Sequence, residues 1–373
     1  MSTEDQAWPE PRANPLLVGQ EAAEATFLSA CQSGKLPHAW LIAGPPGIGK
    51  ASFAYRIARF ALNGGIGGES DDGPSLFGDA PAAAGSLPSG SLEVDPASTV
   101  FRQVAAASHP DLLSVERGIN ERTKKERSEI VVEDARRVAG FLHKTASGKG
   151  WRVVVIDSVD EMNRNAANAI LKILEEPPAN ALLLLVSHSP GRLLPTIRSR
   201  CRLLRLSPLG EADMDRLLAH YLPEESGENR LLLTRLAEGS IGGALALHAA
   251  GGMALYRDLV GLLAALPDLE ARKLHAFAGR FERAGTEAAF QTAMSLLADW
   301  IARLARAKGL GQAPQPVLVE EEAALRRLVT LHSLDRWLEL WEKVRHLTAR
   351  TDAINLDRKQ VVIGAFLALQ GAP

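Results

Sequence analysis

At 373 residues the chain is too long for one hydrophobic core, so two or three domains are expected. With 42 Lys and Arg against 44 Asp and Glu, a net charge of −2 excludes a chain-wide basic face for nucleic acid, and any DNA contact has to come from a local patch. Cys31 and Cys201 alone cannot build a zinc site or a disulfide scaffold, no apolar stretch is of bilayer length, and the acidic, Pro-rich beginning is unlike a secretory signal, so a cytoplasmic protein with no membrane partner is expected.

In chain order, residues 1–14 read as a disordered tail. Strand-length apolar runs follow at 39–43, 111–115, 152–157, 182–187 and 203–206, alternating with helix-period stretches, the pattern of a five-stranded parallel sheet covered by helices. Residues 63–99 interrupt it with a Gly/Ala/Ser-rich insertion too poor in large apolar groups to offset its ordering entropy, and a mobile loop is expected there. From Ser207 onward apolar residues recur only at helical spacing, over 214–222, 228–237, 241–250, 254–266, 288–307, 334–348 and 359–369. Breaks at Gly239-Ser240 and at 249–252 divide this half into a small helical domain, 208–252, and a larger one, 253–373, after a core of 15–207.

The run Gly44-Pro45-Pro46-Gly47-Ile48-Gly49-Lys50-Ala51 is a phosphate loop in the right setting, with a strand before it and the amphipathic stretch 53–62 after it. Gly44, Gly47 and Gly49 allow backbone N–H groups to converge on phosphate oxygens, and Lys50 adds a positive charge at a helix start. Position 51 should carry a hydroxyl for Mg²⁺; Ala51 has none, and Ser52 lies about 100° further around the helix. The loop and Lys50 can hold ATP or ADP, with hydrolysis handicapped.

The run ending at Asp157 supplies a carboxylate able to hold Mg²⁺ through water, but Ser158 follows, and a hydroxyl cannot polarise the attacking water as a carboxylate would. Asp160 and Glu161 come after the strand, where a turn sets their direction; Asn163 can cap the next helix, which stops at Pro177-Pro178.

The stretch 155–178, VIDSVDEMNRNAANAILKILEEPP, followed by Ser187-His188-Ser189-Pro190 and Thr196-Ile197-Arg198-Ser199-Arg200-Cys201, resembles bacterial clamp-loader subunits of the AAA+ class. Val18-Gly19-Gln20 and Pro37-His38-Ala39 fit the same pattern, as does Asn355-Leu356-Asp357-Arg358-Lys359 near the end; the resemblance is close over about 15–207 and looser beyond. It implies an α/β AAA+ core with a RecA-like five-stranded parallel sheet, a small helical lid and an all-α C-terminal collar domain. It also implies a place in a hetero-pentameric ring with a motor subunit and a delta subunit, which opens a sliding clamp and loads it on primed DNA for the replicative DNA polymerase.

By the same resemblance, Arg200 matches the arginine finger, which reaches the γ-phosphate of ATP in the adjacent motor subunit, and Ser187 falls at a nucleotide-sensing position. Gly242 stands where motor subunits place a phosphate-sensing arginine, so Ala51, Ser158 and Gly242 are three altered positions in one chain. The four-cysteine zinc module often inserted after the phosphate-loop helix has no counterpart, so no metal site is expected, with Mg²⁺ only alongside nucleotide. The sum is a non-catalytic subunit of a DNA-directed DNA polymerase complex that assists a neighbour in trans. Gly44, Gly47, Gly49, Lys50, Asp157 and Ser187 would form its own nucleotide site without turnover. Two alternatives stay open: an active ATPase motor using Ser52 or Asp160, and a DNA-repair accessory using the basic loop with Arg117, Arg122, Lys124, Lys125 and Arg127.

Overall fold

The five apolar runs of the first half are strands, each beginning and ending within one residue of the sequence expectation. They are β1 (Ala39–Ala43), β2 (Leu112–Val115), β3 (Arg152–Asp157), β4 (Ala181–Ser187) and β5 (Arg202–Arg205), all parallel, in the order β2-β3-β4-β1-β5. The computed structural model describes residues 8–66, 90–119, 127–143, 150–354 and 356–370. Within these the chain forms two units, Met1–Tyr221 with Gly239–Gly242, and Leu222–Glu238 with Gly243–Pro373, so the residues expected as a lid, 208–252, are shared between them.

Helices cover both faces of the sheet, and the period-two alternation of the strands decides which side chain meets which helix. On one face Trp40 and Ile42 of β1, Val153 and Val155 of β3, and Leu182 and Leu184 of β4 pack with Phe27 of α1 (Glu21–Gln32), and with Phe53 and Ile57 of α2 (Lys50–Leu62). Phe101 and Val104 of α3 (Thr99–Ala105) complete that layer. On the other face Leu41, Val154, Ile156, Leu183 and Leu185 meet α4 (Val132–Leu142), α5 (Arg164–Glu175) and Ile197 of the short α6 (Pro195–Arg198). Asn163 caps α5 as the sequence implies, its Oδ1 accepting from the Ala166 amide at 3.0 Å. The helix α7 (Glu211–Tyr221) closes the unit.

Both ends of the Gly/Ala/Ser-rich insertion are packed: Ile66, Leu92 and Val94 are buried in the first layer, and the Trp151 indole donates to the Ile66 carbonyl at 3.1 Å. Residues 67–89 of that insertion, and Arg122, Lys124 and Lys125 of the basic loop, lie outside the described residues. Within the expected N-terminal tail, the carbonyls of Arg12 and Asn14 each accept from the buried Arg59 guanidinium at 2.9 Å, and Asn14 also accepts from the Tyr221 hydroxyl. A buried guanidinium needs acceptors, and the tail's carbonyls provide them.

The second unit holds helices alone among its described residues. These are α8 (Gly227–Ala237), α9 (Ile241–Ala249, its first two residues counted with the first unit), α10 (Gly252–Ala264), α11 (Ala271–Ala278), α12 (Glu287–Leu310), α13 (Glu322–Leu331), α14 (Leu334–Ile354) and α15 (Arg358–Gln370). The 24-residue α12 is the axle, packed against α10, α13 and α14 around the fully buried Trp300, Trp337, Phe290 and Phe366. Neither α11 nor α13 is anticipated by the sequence pattern. No helix of the described residues is long and apolar enough to cross a membrane.

Parallel pairing gives the sheet two unlike edges. At the carboxyl edge β1 runs into the phosphate loop, β3 ends on Asp157 and β4 on Ser187, with Ala43 beside Ser187 and Asp157 beside Val186 in register. At the amino edge lie the residues that precede β4 and β5, Glu175 and Arg200 among them.

Candidate functional site

Ligands of open parallel sheets bind outside the carboxyl ends of the strands, and the sequence-predicted loop, Asp157 and Ser187 meet there. The loop turns immediately after β1. A Cβ on Gly44 would lie 2.6 Å from the Leu206 carbonyl oxygen, so only glycine fits, while Gly47 and Gly49 take left-handed φ values of 74° and 95°. The Gly44 amide donates to the Ser187 carbonyl at 3.3 Å, which ties the loop to β4.

The α2 helix begins at Lys50, which is 3% exposed and donates its Nζ to the Pro45 carbonyl. The Ser240 hydroxyl donates to the Pro46 carbonyl at 2.9 Å and the Gly242 amide to the Gly47 carbonyl at 2.8 Å, so three successive loop carbonyls are held by the unit's own donors. A Cβ at Gly242 would sit 3.1 Å from Gly47 Cα, so this position is in close backbone contact with the loop.

Burial lowers the Lys50 ammonium to about 8, against the opposing pull of Asp157 and Asp160. Burial raises the Asp157 carboxyl to about 6, helped by Glu116 and Glu161 and opposed by Lys50. At neutral pH the pair is therefore ionised, with its charges close to neutralisation on either side. The Ser158 hydroxyl is buried and, among the described residues, has no hydrogen-bond partner. Asp160 accepts from the Ser187 hydroxyl at 2.7 Å and from the amides of His188 and Ser189, so it brackets the end of β4. Glu161 pairs with Arg117 at 3.0 Å. Both carboxylates that follow Ser158 thus have partners in the unit itself, and the fully buried Ser187 has its proton committed to Asp160.

This donor set fits the phosphates of a nucleotide, through Lys50 and the start of α2, better than it fits a magnesium ion, since Ala51 brings no oxygen and the neighbouring Asp160 and Glu161 are engaged by Ser187 and Arg117. Among the described residues no three His, Cys, Asp or Glu groups are placed to hold a metal. The charge of Lys50 makes a measurable prediction. Association of magnesium-free ADP is expected to weaken by up to about tenfold per pH unit above pH 8, because binding must then return a proton to Lys50. Lys50→Arg should flatten that slope; calorimetric titrations at pH 7.5, 8.5 and 9.5 check it, and a slope left unchanged by the substitution would place the phosphates elsewhere.

Arg200 sits apart from this constellation. Ser199 ends α6, Arg200 and Cys201 lead into β5, and Arg202 pairs with Trp40 near the start of β1. Because β1 and β5 are parallel, the arginine lies at the amino edge of the strand whose carboxyl edge feeds the phosphate loop, a separation on the order of 15 Å at ~3.3 Å per residue. Its guanidinium is exposed and bonds Glu175 at 2.9 Å and the Thr196 carbonyl at 3.1 Å. Sequence reasoning singled out neither Asp160 as the β4 bracket, nor Ser240, nor Glu175, since each acts on a partner distant in the chain.

Comparison with known proteins agrees with the clamp-loader resemblance. The sequence profile of the family described as DNA polymerase III, delta subunit, matches residues 87–210. A delta-prime subunit of DNA polymerase III from Pseudomonas aeruginosa is 37% identical over 215 residues, covering 57% of this chain and 56% of that protein. The delta-prime subunit of Escherichia coli K12 is 30% identical over 221 residues, covering 59% of this chain and 57% of that protein. The tau subunit of the same organism is 31% identical over 235 residues, covering 62% and 32%. The matched region thus spans a little over half the length of the delta-prime relatives. The parallel sheet and the phosphate loop thus stand in a chain whose residues 87–210 match the DNA polymerase III, delta subunit, profile and which is similar, over a little more than half its length, to the delta-prime subunits of bacterial DNA polymerase III.

Proposed function

We propose that this chain is a clamp-loader subunit that completes a neighbouring subunit's ATP site and does not turn over ATP at its own. One observation carries the reading: the arginine and the phosphate loop lie at opposite edges of one sheet, so Arg200 cannot reach a nucleotide held by its own Lys50. An intact, accessible guanidinium at one edge and a site without the hydroxyl at 51 or a carboxylate at 158 at the other fit a subunit that acts in trans. A permanently charged planar fork suits the charge spread over transferring phosphoryl oxygens.

In this reading the neighbour is an ATP-binding motor subunit, a delta subunit completes a hetero-pentameric ring, and the ring loads a sliding clamp on primed DNA in the cytoplasm. ATP or ADP rests on Lys50 without turnover and no zinc is held. The test is ATP hydrolysis by a ring reconstituted with motor and delta subunits, clamp and primed DNA, with Lys50→Ala placed in this chain alone. Turnover within about twofold of the unsubstituted ring is expected; a collapse would make this chain a working motor.

A further inference from the structure

The contact that holds Arg200 in the free chain points beyond its proposed task. Glu175 is the last residue of α5, and Glu176 follows as its cap, with Lys172 the basic residue of the final turn. Carboxylates at a helix C-terminus face the negative end of the macrodipole and are disfavoured there unless a cation offsets them. Arg200 is that cation for Glu175: its Nη2 lies 2.9 Å from Glu175 Oε1, while Nη1 donates to the Thr196 carbonyl at 3.1 Å.

The backbone under Arg200 has little freedom of its own. The Ser199 amide donates to the Pro195 carbonyl and the Arg200 amide to the Ile197 carbonyl, and the flanking Ile197 and Cys201 pack into the same hydrophobic layer. What can move is the side chain, and it rests on a group with the charge and fork geometry of a phosphate. An arriving phosphoryl group and the Glu175 carboxylate would compete for one guanidinium, because two anions on the same donors repel.

We infer that Glu175 is a positioning residue for Arg200, holding the guanidinium in the free subunit and exchanging it for the neighbour's nucleotide phosphate in the assembled ring. This rests on the reading that Arg200 acts in trans. The pair is partly solvated, Arg200 35% and Glu175 50% exposed, so the competition is worth about twofold to fivefold.

Two measurements separate the parts. In the free full-length chain, phenylglyoxal modification of Arg200 followed by mass spectrometry should run about twofold to fivefold faster with Glu175→Gln; equal rates overturn the tether. In the reconstituted ring, Glu175→Gln should lower the KM for ATP by a similar factor with kcat nearly unchanged, and the effect should vanish in an Arg200→Ala background. A KM shift that persists without Arg200, or a kcat loss like that of Arg200→Ala, overturns the exchange. Faster labelling together with an Arg200→Ala ring of normal turnover keeps the tether but removes the nucleotide as its rival, and then the trans-acting reading falls with the exchange.

Discussion

With Arg200 replaced by alanine, single-turnover ATP hydrolysis at the neighbouring site is expected to slow on the order of a thousandfold, the lower end of what a trans-acting guanidinium supplies in phosphoryl transfer. That is about 4 kcal/mol of transition-state stabilisation at 1.36 kcal/mol per tenfold. Arg200→Lys keeps the charge but loses the planar fork, and should recover no more than about a tenth of the rate. The fold should not notice either change, because the arginine's ties are one partly solvated ion pair and a carbonyl at a surface turn. Thermal unfolding of the free chain within a degree or two of the unsubstituted protein therefore accompanies the expected result. Normal turnover by a well-folded Arg200→Ala ring would remove the trans-acting role outright.

The fold was legible where the sequence signal is local. The three inner strands, β3, β4 and β1, announce themselves because they are buried on both faces and so carry apolar runs, as in β4 from Ala181 to Val186, whereas the outer β2 and β5 are only partly covered. The phosphate loop has fixed glycine spacing, and Asn163 caps a helix three residues from the amide it serves. What was not legible depends on pairs far apart in the chain. Asp160 meets Ser187 across 27 residues, and Ser240 meets Pro46 across 194; no periodicity reports such meetings. Composition misled at Leu92 and Val94, two buried anchors set among small polar residues that read as solvated. The helices α11 and α13 escaped because they are short amphipathic segments, ten residues or fewer, held by packing against longer neighbours.

Glu321 shows the same lesson in the helical unit, and replacing it is expected to produce the largest loss of stability in that unit. Its carboxylate is fully buried and accepts from the Tyr256 hydroxyl at 2.7 Å, the Trp300 indole at 3.0 Å, Arg303 at 3.0 Å and the amides of Val317 and Leu318. It therefore ties α10, α12 and the 3-10 turn before α13 to one group. Burial alone would raise its proton affinity, but the Arg303 and Tyr256 bonds and the Val317 amide outweigh that and hold it below the usual carboxylate range. Glu321→Ala leaves Arg303, only 15% exposed, without its counter-charge, and a broken buried pair costs about 3–5 kcal/mol. Glu321→Gln keeps the shape and one acceptor and should cost about half as much. Urea unfolding, with amide exchange in α12 to assign the transition to this unit, checks both values, and a loss under about 1 kcal/mol for the alanine would reduce the cluster to incidental contacts. The pH dependence follows from the depressed carboxyl: its contribution is complete above the ordinary glutamate range and is lost as pH falls through the lower folded-state value. The stability difference between Glu321→Gln and the unsubstituted chain should accordingly be constant at neutral pH and close progressively on acidification below about pH 4.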